Sequence, residues 1–340
     1  MNGTERIAAL PARAQAPQVA APARRNLALD TLRIALAVMV VGLHSKLLMD
    51  VNEPLGDFLQ NYLFRIAVPV FFVINGYYFL AIFEGRQPLR PWLLRIGVLY
   101  LLWSAVYGAQ IVRSGGDAVG ALKLLILGYY HLWYLPATLL AGLAMYALRR
   151  LSTARLIALM LLAYALGCAV QYAANLQTFA PGSRAGALVE KTWLHRNFAL
   201  MGFPLFGLGL CIARNDIASR VSWRGAWALT AAGALAMAAE FALNRAAGLT
   251  AAVPFDMLVS LPPVCAGLFL LALKAPWRTA NRHLVDFATA IYFAHVMFLL
   301  HVPAAFGGSS VTTALWTLGA TLLVAPPLIW LNARTNRWFL

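Results

Sequence analysis

Ten apolar segments run along this chain, each about the length needed to cross a hydrocarbon core of about 30 Å, which takes roughly 20 helical residues. Their approximate spans are 29–49, 61–83, 91–112, 131–148, 155–173, 196–213, 225–245, 255–273, 284–304 and 311–333. Backbone inside a bilayer must satisfy its own hydrogen bonds, and uninterrupted apolar runs of this length do so as helices. The expected fold class is therefore all-α, a polytopic membrane bundle of about ten transmembrane helices. Composition supports this: charged residues make up 11% of the 340, against about 25% in a soluble domain, too few to coat a soluble surface. The apolar stretch 118–130 is too short to span and reads as an interfacial or re-entrant piece. Residues 1–26 are rich in Ala, Pro, Arg and Gln without a continuous apolar run, so they read as a disordered cytoplasmic tail rather than a signal peptide. Residues 27–340 form one transmembrane domain.

The net charge of +15 points either to nucleic acid or to membrane orientation. The cations lie in short clusters between apolar runs rather than on one basic face, which argues against nucleic acid. With the N-terminus inside, 19 of the 27 Lys and Arg fall on the inner side and 7 on the outer, with Arg65 set apart within the membrane. That asymmetry places both termini in the cytoplasm. Cys168, Cys211 and Cys265 lie in apolar stretches without CxxC spacing, which gives no disulfide framework, and no metal is expected.

Ionisable groups at membrane depth are costly and mark functional sites. Arg33 and His44 are eleven residues apart in the first segment, three helical turns plus about 20° and a rise of about 16.5 Å. They share a face, Arg33 near the cytoplasmic mouth and His44 beyond the midplane, and the pair suits a path leading inward from the cytosol. A snorkelling Arg and a His bonded to a neighbouring helix would share that spacing. In the second segment, FRIAVPVFFVINGYYF, Arg65 enters roughly level with His44, and Pro69 with Asn75-Gly76 should loosen the helix where backbone lines a cavity. A cation beside His44 favours the neutral imidazole, the form a general base needs. Other polar groups at depth are Glu240, a candidate partner for Arg65 or Arg245, and Tyr292 with His295 in IYFAH. His131 beside Trp133 belongs to an outer aromatic belt, and His195 and His301 look interfacial. Asp256 counts with Asp50, Glu53 and Asp57 among the outer-loop charges.

The pieces LDTLRIALAVMVVGLH at 29–44, FRIAVPVFFVINGYYF at 64–79, LRPWLLRIGVLYLLW at 89–103, HLWYLPATLL at 131–140 and IYFAHVMFLL at 291–300 together resemble the integral-membrane acyltransferase-3 family. Its hallmark is an Arg or Lys, ten residues, then a His, which Arg33 and His44 match; the resemblance runs from about Leu27 to the C-terminus. It departs at Asn75, where the family often has Ser, and at position 92, where Trp replaces the first Arg of a pair whose second member matches Arg95, with Arg90 as a possible substitute.

The resemblance implies a stand-alone family member, without a fused esterase-like domain, in the bacterial cytoplasmic membrane. It implies transfer of an acyl group, commonly acetyl, from cytosolic acyl-CoA to a hydroxyl of a cell-surface or lipid-linked glycan, an exopolysaccharide for instance, beside polysaccharide-assembly proteins. On that reading Arg33, Arg90 and Arg95 attract the CoA phosphates. His44 is the general base or, alternatively, an acyl carrier, and Arg65 or Asn75 steadies the carbonyl oxygen. Asp30, His131, Trp133, Glu240, Tyr292 and His295 are further candidates. A glycan or lipid transporter would show similar asymmetry but usually paired halves with matching broken helices, and no such repeat is visible; a scaffolding protein would not need the aligned Arg33 and His44.

Overall fold

A computed structural model describes residues 25–180, 182–249, 253–279, 281–301, 308–335 and 337–340. Most of the tail expected over 1–26 lies outside the described residues. Its last two, Arg25–Asn26, form a strand (β1) paired antiparallel with Arg278–Thr279 (β2), so order begins earlier than composition suggests. Asn26 explains this: its Oδ1 accepts from Leu29 N at 3.0 Å as the helix N-cap, while its amide donates to the carbonyls of Ala272 and Leu273.

The main helices are α1 Leu27–His44, α2 Glu53–Asn61, α3 Ala67–Tyr78, α4 Leu89–Val106, α5 Ala118–Leu127 and α6 Tyr134–Ala147. They continue as α7 Thr153–Asn175, α8 Phe203–Arg214, α9 Trp223–Ala246, α10 Leu261–Lys274, α11 His283–Leu299 and α12 Ser310–Arg334. Each of the ten apolar segments holds one of these helices. Among the described residues six helical stretches are long and apolar enough to cross a membrane, and a seventh if α5 and Tyr130–Ala147, bent by 53°, count as one. Phe198–Arg214, Leu261–Lys274 and His283–Leu299 are apolar but shorter. Within the stretch 118–130, α5 covers Ala118–Leu127 with none of its residues buried, which suits its reading as an interfacial or re-entrant piece.

Apolar side chains face outward from the peripheral helices: Leu162 is 67% exposed, Leu235 71% and Leu323 79%. Such continuous apolar exposure is tolerated where the solvent is lipid. Inside, close approach of small residues replaces the hydrophobic drive that lipid removes. Gly76 of α3 abuts the backbone of Phe206 in α8, Gly209 of α8 abuts that of Val73 in α3, and Gly233 of α9 meets Val264 of α10. The centre of the bundle is packed by α3, α8 and α10, with Ala67, Val70, Phe72, Val73, Phe206 and Phe269 fully buried.

Candidate active site

Regular helix is abandoned at four places around one small cavity. Arg65 sits on a 3-10 turn, Leu63–Ile66, at the entry to α3; His131 and Trp133 sit on another, Tyr130–Trp133, before α6. Arg196 precedes a π-helical turn, Phe198–Gly202, and Asp256 lies in an extended stretch before α10. Non-helical backbone at membrane depth is tolerated where it is buried in protein or lines a cavity. The cavity has a volume of about 30 Å³ and is lined by these residues, by His44 at the end of α1, by Tyr292 of α11, and by an apolar wall that includes Val40, Val68 and Pro69.

Three imidazoles meet at its edge. His44 stacks on His295 with ring centroids 5.4 Å apart and planes 20° from parallel, and the His131 ring is 4.9 Å from His295. His295 Nδ1 lies 2.7 Å from the carbonyl of Tyr292 and 3.1 Å from that of Ile291. Both are acceptors, so Nδ1 carries the hydrogen and Nε2 keeps a lone pair that has no partner among the described residues. Tyr130, in the left-handed region at φ 50°, places its ring 4.8 Å from that of His44.

Opposite lies a charge cluster around the buried Asp256. Arg65 donates through Nη1 to Asp256 and through Nε to the carbonyl of Gln60 at 2.9 Å. The second carboxylate oxygen of Asp256 is 3.6 Å from His195 Nε2 and 3.7 Å from Arg196 Nη1, and Arg196 lies 5.3 Å over the Trp133 ring. Two guanidiniums against one carboxylate leave an excess of one positive charge facing His44.

A second cavity of about 230 Å³ adjoins the first at Tyr292, which lines both. Arg33 and Arg95 line it, as do Asn75, Tyr134, Thr138 and Thr289, with aliphatic walls between. Arg33 Nη1 holds Asp30 at 2.6 Å, and the buried Asp30 also binds Arg25. Arg95 donates to the carbonyls of Arg337 and Leu340 at 2.9 and 2.8 Å. Arg90 is exposed and lines neither cavity. Thus the shared face of Arg33 and His44 serves two adjoining cavities, one residue in each.

Several expectations need correction. Asn75 does not join Arg65 at His44; its amide donates to the Phe71 carbonyl and to Tyr134 Oη in the larger cavity, because it lies ten residues beyond Arg65 along α3. Glu240 neutralises neither arginine. It accepts from Tyr172 Oη at 2.6 Å, from the backbone N–H groups of Val259 and Ser260, and from Ser260 Oγ, while Arg245 pairs with Glu53 and Asp57. His131 is 2% exposed and His195 fully buried rather than interfacial, since the segments carrying them fold inward onto the cavity. Asp256, counted as a loop charge, is 4% exposed. Asp256, Arg196 and His195 are thus the site residues that sequence reasoning passed over, and the available signal was a lone acid inside the apolar run VPFDMLV.

A family profile described as "Acyltransferase domain" matches residues 26–331. Two curated relatives also match over part of the chain: an "Amino-acid racemase" of Enterococcus faecalis, 30% identical over 135 residues, and a "Serine/alanine racemase" of Enterococcus gallinarum, 35% identical over 138. Each alignment covers 36% of this chain and 19% or 20% of the relative, so the chain spans about a fifth of their length. No solved structure matches the chain.

Proposed function

Because this chain belongs to the acyltransferase-3 family and is a membrane acyltransferase, we propose that it moves a short acyl group, acetyl for preference, from cytosolic acyl-CoA to a hydroxyl of a surface or lipid-linked glycan. We further propose ten membrane crossings with both termini cytoplasmic, in a bacterial inner membrane. The observation that carries the reading is the pair of cavities meeting at Tyr292, with two arginines lining one and the histidine cluster the other.

On this reading the donor's phosphates rest against Arg33 and Arg95, and its pantetheine arm lies in the larger cavity, where Asn75, Tyr134 and Thr138 offer hydrogen bonds among aliphatic walls. The thioester then reaches past Tyr292 toward His44. His44 removes the proton from the acceptor hydroxyl as that oxygen attacks the thioester carbon. Negative charge gathers on the carbonyl oxygen, and the excess cation of the Arg65, Arg196 and Asp256 cluster steadies it. As the intermediate collapses the carbon–sulfur bond breaks, and the proton held by His44 passes to the departing CoA thiolate. The products are an ester and free CoA. His295, stacked on His44 with a bare Nε2, offers an imidazole through which the proton can be shared. The space beside His44, about 30 Å³, suits a short acyl group.

The test is transfer of labelled acetyl from acetyl-CoA into the glycan and lipid fraction of vesicles carrying the full chain, wild type against His44→Ala. A general base contributes about 10²–10⁴-fold, so a well-inserted His44→Ala should lose at least that lower factor. Near-normal transfer by that variant removes His44 from the chemistry.

A further inference from the structure

Between α9 and α10 the residues 253–260 run without regular helix at the depth of the cavity, a costly arrangement unless protein groups satisfy the freed backbone. Side chains from three helices do so, two of them distant in the chain. Asn175 donates to the Val253 carbonyl at 2.7 Å, Asn61 accepts from Phe255 N at 3.2 Å, and Gln171 accepts from Asp256 N at 2.9 Å. Tyr164 donates to the Leu258 carbonyl at 2.6 Å, and Glu240 accepts from Val259 N and Ser260 N at 2.8 and 3.0 Å. Six backbone groups of the stretch are thus held by five side chains projecting from α2, α7 and α9. Among its eight residues Asp256 alone carries a charge, and that charge is delivered to Arg65.

Arg65 has a further reason to need holding. Its Nε and Nη1 donate to Gln60 and Asp256, whereas Nη2 has no hydrogen-bond partner among the described residues, and Arg65 lines the same cavity as His44. A guanidinium is a planar fork, so fixing two of its three nitrogens fixes the direction of the third.

We infer that Asp256 is a positioning residue: the side-chain cradle around 253–260 exists to hold its carboxylate against Arg65, so that the remaining guanidinium nitrogen points at the carbonyl oxygen of the acyl group. The inference rests on the acyl-transfer reading above. Asp256 does not touch the reacting atoms; it acts through Arg65. Removing one donor to a developing oxyanion lowers kcat by about 10²–10³-fold, and misdirecting that donor should cost a large part of the same factor.

The experiment compares wild type, Asp256→Asn, Arg65→Gln and the double variant in vesicles, with acetyl-CoA as the donor probe and incorporated label as the readout. Asp256→Asn should lower kcat by about 10–100-fold while the KM for acetyl-CoA stays within twofold, because the donor's phosphates rest in the other cavity. The double variant should match Arg65→Gln within about threefold, since a residue acting through Arg65 has nothing to hold once Arg65 is gone. If Asp256→Asn does not accumulate, the double variant carries no unpaired buried cation from this pair, and its comparison with Arg65→Gln alone decides. Additive losses, or a donor KM that rises with the fall in kcat, overturn the inference while leaving acyl transfer standing. A wild type that transfers no label above the His44→Ala background overturns the acyl-transfer reading and this inference with it.

Discussion

Adding one methyl group at Gly76 should damage this protein more than any polar change of similar size on its surface. A Cβ at Gly76 would stand 1.7 Å from the carbonyl oxygen of Phe206 and 2.6 Å from its carbonyl carbon, where ordinary contact begins at 3.4 Å. Both atoms are backbone of α8, so no rotamer change relieves the clash, and α3 and α8 must part by up to about 1.7 Å at this point. Overpacking in a close-packed interior costs about 1–3 kcal/mol, occasionally more, and Gly76→Ala belongs at the upper end. At roughly 2–4 °C per kcal/mol for a chain of a few hundred residues, the melting temperature in detergent should fall by about 6–12 °C. The chain contains its own controls. A Cβ at Gly97 of α4 or Gly319 of α12 meets nothing within 4 Å, and Ala favours helix over Gly by about 0.8–1 kcal/mol. Gly97→Ala and Gly319→Ala should therefore melt at or above the wild-type temperature. Because α3 follows directly from the turn carrying Arg65, Gly76→Ala should also lower acyl transfer in protein that survives purification. Gel filtration after heating reads the melts, and a Gly76→Ala curve that overlays that of Gly97→Ala would refute the packing argument.

Arg33→Ala should raise the KM for acetyl-CoA by about tenfold or more, since a charge-assisted hydrogen bond is worth about 1.5–3 kcal/mol, with a smaller effect on kcat; Arg33→Lys should recover part of the loss. The fold should tolerate the change because Asp30 keeps Arg25, 3.1 Å away. An unchanged donor KM in stable Arg33→Ala would remove this residue from phosphate binding. Reporter fusions after residues 86, 150, 220 and 280 should report the cytoplasm and a fusion within 174–195 the opposite side; a cytoplasmic signal from that loop would refute ten crossings.

What the sequence made legible follows the period of the helix. The eleven-residue spacing of Arg33 and His44 guaranteed a common face wherever the first segment was helical, and the structure carries that face past two adjoining cavities. Asn75 was misplaced for a related reason. It shares a segment with Arg65, but Arg65 stands on the 3-10 turn before α3 and Asn75 in the last turns of α3, so the two open into different cavities. Hydropathy gives no sign of such a difference, because both residues lie within one continuous apolar segment.

Asp256, Arg196 and His195 were hidden for a deeper reason. A single acid near the end of an apolar run is most simply a loop charge, and only contacts across long chain separations bring it inside: Arg65 is 191 positions away and Asn61, which holds the adjoining backbone, 194 from Phe255. Yet the need for such contacts leaves a trace. A helix in lipid satisfies its own backbone, so the backbone of their apolar helices needs nothing from Gln171, Asn175 and Glu240. Polar side chains of that kind imply backbone elsewhere that lacks partners, and here that backbone is 253–260. Read in this direction, polar residues on apolar spans point to a break in a neighbouring segment, and the charge carried by the broken segment becomes the site candidate. In this chain that reasoning leads from Gln171 and Glu240 to Asp256, and from Asp256 to the guanidinium facing His44.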